Sequence, residues 1–285
     1  MKFHRAYIEI TNICGLACTF CPPKVTPTAT MPLPLFEKTM DQLKPYTREV
    51  ALHVMGDPLT LSNLYVYLDI AHAKGFRVML TSSGFLIPKH TASTLFHPAI
   101  RQLNISLNSY NKNTTDLTPE EYFDPIIALC RRKVSENREL FINLRLWNLS
   151  GDDGEADYNR EVFKRLDAAF GTDLTHAAPE KSIRLDSKVL LHFDRYFRWP
   201  NLKNEWVGDG YCHGLISQVG VLANGDVVPC CLDGEGVMRL GNLADSPLST
   251  ILVSPRATAI IEGFKASKAV EPLCQHCSYK SRFSD

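Results

Sequence analysis

The sequence lacks any run of eighteen apolar residues, so no segment is long and apolar enough to cross a bilayer as a helix. It also lacks net charge, because 31 Lys+Arg balance 31 Asp+Glu. Nucleic-acid binding draws most of its affinity from neutralised phosphates, so this balance argues against a nucleic-acid partner. No internal repeat or low-complexity tract is present, and 22% charged with 45% hydrophobic residues excludes long disorder. The N-terminal Met1-Lys2-Phe3-His4-Arg5 leads into a short alternating strand rather than an apolar signal segment, which points to a cytoplasmic globular protein. The 285 residues suffice for one large domain, or for one domain with a smaller appendage.

Cysteine, by contrast, is plentiful, with nine residues. A reducing compartment disfavours disulfides, and an odd number leaves one thiol over. Cys14, Cys18 and Cys21 cluster early; Cys212, Cys230, Cys231, Cys274 and Cys277 cluster late. Cys130 stands alone after the apolar run Pro125–Leu129 and reads as a core thiol. Two clusters flanking a thiol-poor middle predict two metal sites.

The first two thirds alternate strand and helix patterns. Strands are expected at Ala6–Ile10, Val50–Met55, Arg77–Thr81, Gln102–Leu107, Phe141–Trp147 and Ser182–Leu185. Helices are expected at Leu33–Leu43, Leu61–Ala73, Pro119–Val134 and Tyr158–Phe170, with a short helix or turn at Leu95–His97 and an acidic loop over Ser150–Asp157. Strands separated by helices imply right-handed βαβ units, a parallel sheet and a full or partial barrel. Beyond residue 186 the pattern changes. Lys188–Phe197 reads as helical and Trp199-Pro200-Asn201 as a linker. Asn224-Gly225 between Val219–Leu222 and Val227–Val228 signals a hairpin. A helix is expected over Leu248–Phe264. The expected division is a core over residues 1–185, then a linker and cysteine-bearing module over 186–285.

Cys14, Cys18 and Cys21 form a C-x3-C-x2-C loop directly after the first strand. In a parallel αβ barrel that loop lies at the mouth where ligands bind. Three closely spaced thiolates can hold one [4Fe–4S] cube and leave the fourth iron without a protein ligand, as an open catalytic site requires. The competing readings are structural zinc, with His53 as a remote fourth ligand, or buried thiols. The loop, with Phe20 before its last cysteine and Ile8-Glu9-Ile10-Thr11-Asn12 upstream, resembles the radical S-adenosylmethionine (SAM) superfamily. Met55-Gly56-Asp57-Pro58 resembles the family's Gly-Gly-Glu-Pro segment, with Met55 for the first Gly and Asp57 for Glu.

This resemblance implies a partial (β/α)6 TIM-like barrel and an enzyme that cleaves SAM reductively. The released 5′-deoxyadenosyl radical would abstract a substrate hydrogen, with a flavodoxin or ferredoxin as the expected electron donor. It implies SAM contacts at Phe20, Gly56 and the Asp57 carbonyl. Ser83, within Thr81-Ser82-Ser83-Gly84, and Ser106 with Asn108 are further candidates by strand position. Arg145 could pair with the SAM carboxylate. A turn at Ser82–Gly84 and a surface ion pair at Arg145 are the alternatives.

The late cysteines suit zinc or an iron–sulfur cluster equally on spacing alone. Gly225-Asp226-Val227-Val228-Pro229-Cys230-Cys231, Gly241-Asn242-Leu243 and Leu273-Cys274-Gln275-His276-Cys277 resemble the SPASM/twitch extension of radical SAM enzymes. That module binds auxiliary [4Fe–4S] clusters in a small α+β fold. Five thiols are too few for two fully ligated cubes, so the likeness implies one, held by Cys212, Cys230, Cys274 and Cys277. Cys231 could substitute for Cys230, donate a hydrogen atom to a product radical, or be an inert buried thiol. In the family's anaerobic sulfatase maturases an Asp base directly follows the corresponding cysteine; here Cys231 stands there and Asp233 lies two further on. The auxiliary cluster implies electron transfer.

Several other features carry simpler expectations. Asp194–Pro200 could line a substrate channel or pack an interface, and Gly151–Glu155 could close over substrate. Arg131-Arg132-Lys133 complements a helix dipole. His276 is expected beside the site rather than as a ligand. The first expected reaction is modification of a peptide or protein side chain, and the second is dehydrogenation of a small molecule. The early position of Cys14 suggests no peptide-binding extension, which favours a small or short substrate. A non-enzymatic zinc-binding protein is the remaining alternative.

Overall fold

The computed structural model describes residues 1–148, 153–176 and 181–283. In chain order the strands are β1 (Arg5–Ile8), β2 (Glu49–Ala51), β3 (Arg77–Ser82), β4 (Ile100–Ser106), β5 (Phe141–Leu146), β6 (Ser182–Asp186), β7 (Val189–Phe193), β8 (Gln218–Val221), β9 (Asp226–Val228) and β10 (Gly241–Asn242). The helices are α1 (Leu33–Leu43), α2 (Leu64–Ala73), α3 (Ala92–Leu95), α4 (Asn108–Asn111), α5 (Pro119–Ser135), α6 (Asp153–Phe170), α7 (Leu248–Ile251), α8 (Pro255–Lys265) and α9 (Pro272–Gln275). Among the described residues, no helix is long and apolar enough to cross a membrane.

The chain divides into two compact units: residues 1–15, 21–78 and 197–285 form one, and 16–20 with 79–196 form the other. In the first unit β1 runs parallel to both β2 and β8, with Ala6 opposite Val50 on one side and Val219 on the other. Parallel pairing brings the loops after β1, β2 and β8 to the same end. The expected hairpin is present: β8 and β9 are antiparallel, and Gly225 takes φ 89° in the turn. Helix α1 buries Phe36, Thr39, Met40 and Leu43, which recur at helical spacing on one face.

In the second unit β4, β5 and β7 are parallel, and β6 closes the edge antiparallel to β7. Their register sets Ser106 opposite Arg145 and Arg145 opposite His192. Helix α5 begins at a capping box, with Thr118 accepting from the Glu121 N–H while Glu121 caps the Thr118 N–H. The Lys133 ammonium, expected to offset the helix dipole, is buried and donates to the Ser187 carbonyl at 2.5 Å.

Three expectations are corrected. Lys188–Phe197 is not helical: Val189, Leu191 and Phe193 alternate inward as strand β7, after a turn in which Lys188 takes φ 56°. Leu248–Phe264 is two helices, because Pro255 disfavours a helical residue before it; Ser254 is extended and caps α8 instead. Of the acidic loop, Asp153–Asp157 belongs to α6, while 149–152 lie outside the described residues.

Candidate active site

The loop after β1 carries Cys14 half-buried, Cys18 buried and Cys21 exposed. Asn113, just past α4, grips this loop within the second unit. Its Oδ1 accepts from the Ala17 N–H at 2.8 Å, and its Nδ2 donates to Cys18 Sγ at 2.8 Å and to the Ser109 carbonyl at 2.7 Å. The Thr19 N–H adds a bond to the Lys112 carbonyl at 3.1 Å. A donor aimed at sulfur suits a thiolate, so this chain's loop fits an iron–sulfur cluster held by thiolates.

Gly56 lies where two backbones meet. A Cβ there would stand 2.2 Å from the Thr11 carbonyl oxygen, so only glycine fits. The next residue, Asp57, is buried; its N–H donates to the Ile13 carbonyl at 2.9 Å, and its carboxylate caps the following turn by accepting from Leu59 N–H at 3.0 Å. The Asp57 carbonyl accepts from both the N–H and the hydroxyl of Thr60, at 3.0 and 2.8 Å. Sequence reasoning missed Glu9. It is 2% exposed, and its carboxylate accepts from the Met55 N–H at 3.1 Å and the Ala223 N–H at 3.3 Å. Burial raises its pKa, opposed by these two bonds. Glu9 thereby ties the ends of three parallel strands together. The departure at Met55 has a local reason: a Cβ on Gly234 would meet Met55 Cγ at 2.5 Å, so the larger residue occupies space that glycine leaves at 234.

The second unit gathers its own candidates. The Tyr122 hydroxyl donates to the Ser83 carbonyl at 2.7 Å and reaches the Ser106 carbonyl at 3.4 Å. Gly84, at φ +91°, would bring a Cβ to 3.0 Å from Ile105 and Ile126. The Arg145 guanidinium lies 4.7 Å over the Trp147 ring, whose N–H points to His192 Nδ1 at 3.4 Å. Burial, and then Arg145, lowers the His192 pKa. Phe20 stacks on Tyr196 at 5.6 Å, and the Lys112 ammonium lies 5.5 Å over the same ring while pairing with Glu155. The Tyr196 hydroxyl stands beside Asn108 and Glu155, yet Tyr196 OH, Asn108 Nδ2 and Glu155 Oε2 are buried without a properly formed hydrogen bond. These groups follow the C-terminal ends of β4, β5 and β7, where parallel barrels place their chemistry.

All five late thiols line one cavity of about 440 Å³ in the first unit, together with Arg5, Tyr7, His213 and Lys280. Among the described residues no three His, Cys, Asp or Glu converge on a single-ion site. Thiols spaced around a cavity fit a cluster of several ions. Desolvation raises the pKa of all five, pushing the Cys231 thiol up to about 12. Tyr7 stands beside Cys231 in this cavity and opposes the rise that burial causes. Lys280 is buried and clamps the Cys274–Cys277 turn by donating to both carbonyls, at 2.9 and 3.0 Å. His276 turns to the Asn204 carbonyl at 2.6 Å. Asp233 does not line this cavity. Its two carboxylate oxygens accept from the Val237 and Met238 N–H groups at 2.8 Å, and burial pushes its pKa up to about 6. It braces a turn.

Residues 8–143 match the family model described as Radical SAM superfamily, and residues 212–278 match SPASM, an iron–sulfur cluster-binding domain. A search of curated proteins found no match. Among solved structures, BtrN in complex with AdoMet and 2-DOIA is 16% identical, covering 98% of this chain and 94% of that chain, with a TM-score of 0.65. SuiB of Streptococcus suis is 15% identical over 100% of this chain and 74% of its own, with a TM-score of 0.63. The anSMEcpe enzyme with bound AdoMet and Cp18Cys peptide is 14% identical over 96% and 86%, with a TM-score of 0.61. At these identities the likeness establishes the fold, an α/β radical SAM core of the partial-barrel type.

Proposed function

This chain belongs to the radical SAM superfamily and carries a SPASM auxiliary-cluster domain, and we propose that it oxidises its substrate by hydrogen abstraction with one auxiliary cluster. Its cofactors are SAM, a [4Fe–4S] cluster and auxiliary iron–sulfur chemistry. The observation that carries the proposal is the gathering of all five late thiols around a single cavity. When bound, the loop cluster and SAM supply a 5′-deoxyadenosyl radical for hydrogen abstraction, and the cavity cluster supplies a one-electron acceptor or relay.

The protein's part is to hold and position. Cys14, Cys18 and Cys21 would ligate the first cluster, and Cys212, Cys230, Cys274 and Cys277 the second. Gly56 lets the loop after β2 approach the loop after β1 closely enough to offer backbone groups to the SAM amine. Phe20, Ser83 and Ser106 would line the nucleoside and ribose, and Arg145 would neutralise the SAM carboxylate. Cys231, beside Tyr7 in the same cavity, would stay outside the ligand set. Residues 1–185 would form the core and 186–285 the linker and auxiliary module, with a flavodoxin or ferredoxin as electron source.

For the substrate, dehydrogenation of a small molecule is the reading best supported. BtrN, to which the chain is similar at a TM-score of 0.65, was crystallised with the small molecule 2-DOIA. Modification of a peptide side chain is the second reading, supported by the peptide complexes of SuiB and anSMEcpe. Anaerobic reconstitution with iron and sulfide counting tests the first step. About eight irons per chain are expected, four per cube, with 5′-deoxyadenosine formed on reduction with SAM. A count near four, or no 5′-deoxyadenosine, would sink the proposal.

A further inference from the structure

Of the three loop thiols, Cys18 is the buried one, and it receives a side-chain donor from a residue 95 positions away. The orientation of that donor follows from its neighbours. The Ala17 N–H can only donate, so it faces Asn113 Oδ1; the Ser109 carbonyl can only accept, so it takes one Nδ2 hydrogen. The second Nδ2 hydrogen is thereby left for Cys18 Sγ, at 2.8 Å. Every donor and acceptor of the amide is used. One residue thus holds both the backbone of the loop and one of its sulfurs.

Such a bond has an electrostatic consequence. Reduction adds an electron that is shared onto the ligand sulfurs, and an N–H aimed at one of them stabilises the more negative state. From this geometry we infer that Asn113 is a positioning residue that fixes Cys18 and raises the reduction potential of the cluster held by the C-x3-C-x2-C loop, an inference that rests on the radical SAM reading. None of the loop's own residues supplies this donor, and the spacing of the cysteines does not indicate it. Its purpose would be to bring the loop cluster within reach of a biological one-electron donor while leaving the auxiliary cluster, in its own cavity, unaffected.

The test uses the reconstituted full chain and two variants. Asn113→Leu removes both halves of the interaction. Asn113→Asp keeps an acceptor for the Ala17 N–H but turns an oxygen toward sulfur. The readout is an electron paramagnetic resonance redox titration of the cluster signal that changes when SAM is added, with iron counting and melting of the metal-free chain alongside. At the wild-type midpoint, the ratio of reduced to oxidised loop cluster is expected to fall about tenfold in the leucine variant, or about 59 mV for one electron. The aspartate variant should fall at least as far, while the SAM-insensitive signal keeps its potential in both. An unchanged midpoint in the aspartate variant overturns the inference. So does failure of both variants to assemble the loop cluster with unaltered metal-free melting, since Asn113 would then serve assembly alone. Absence of any SAM-sensitive signal in the wild-type protein would instead refute the radical SAM reading.

Discussion

Replacing Gly56 with alanine tests the junction on which the active-site proposal depends. The added methyl would lie 2.2 Å from the Thr11 carbonyl oxygen, 2.8 Å from its carbonyl carbon and 2.9 Å from that of Asn12. All three are backbone atoms, so no side chain can swing aside, and the two segments must separate by the better part of an ångström. Overpacking of this kind costs about 1–3 kcal/mol. The same displacement stretches the bond from Asp57 N–H to the Ile13 carbonyl, 2.9 Å in the intact protein, adding about 0.5–1.5 kcal/mol. A loss of about 2–4 kcal/mol, against an unfolding entropy of about 2.1 cal/mol/K per residue over 285 residues, corresponds to a drop of roughly 3–7 °C in the melting temperature. The assay is anaerobic melting of the metal-free chain, followed by SAM affinity of the reconstituted enzyme, which should weaken at least about tenfold for a shift of 1.4 kcal/mol in the contact. Gly171→Ala is the control: φ is +68° with open space around the added methyl, so it carries only left-handed strain of about 1–2 kcal/mol and leaves SAM affinity unchanged. A Gly56→Ala protein that melts within a degree of wild type and binds SAM normally would refute the close-approach argument.

Two further outcomes follow from the auxiliary cavity and from Glu9. Cys230→Ala should remove about four irons per chain after reconstitution, the content of one cube, whereas Cys231→Ala should keep them; the reverse result would exchange the two cysteines in the ligand set. Glu9→Gln leaves either the Met55 or the Ala223 N–H facing an amide nitrogen instead of an oxygen. Urea unfolding should therefore show a loss of about 1–3 kcal/mol, the cost of a buried unsatisfied donor, and an unchanged midpoint would mean that Glu9 is not the tie between those strands.

The site was legible in the sequence wherever its parts are close along the chain. Cys14, Cys18 and Cys21 fall within one loop, so their reach toward a common centre follows from spacing alone. The Asn224-Gly225 turn and the α1 face follow equally from local chemistry. Lys188–Phe197 is ambiguous in the sequence because a short apolar run satisfies both periods, and only pairing with β5 and β6 selects the strand. The helix expected over Leu248–Phe264 missed the break that Pro255 imposes. Asn113, Tyr7 and Lys280 could not be found beforehand, because an isolated Asn, Tyr or Lys has no spacing signature. Met55 read as a departure from a motif, and its explanation at Gly234 lies far along the chain.

By itself, the sequence determined the alternation of strands and helices, the two thiol groups and the C-x3-C-x2-C spacing, all consequences of backbone period and of residues a few positions apart. The tertiary structure decided what long-range pairing alone can decide. It laid β8 beside β1, so that C-terminal residues complete the first unit's sheet. It ringed five thiols around one cavity and excluded Asp233 from it. It also brought Asn113 onto Cys18. The physical reason is the same in each case: these contacts require loops to close over many residues, and the energy that closes them is spread through the whole buried core rather than written in any one segment.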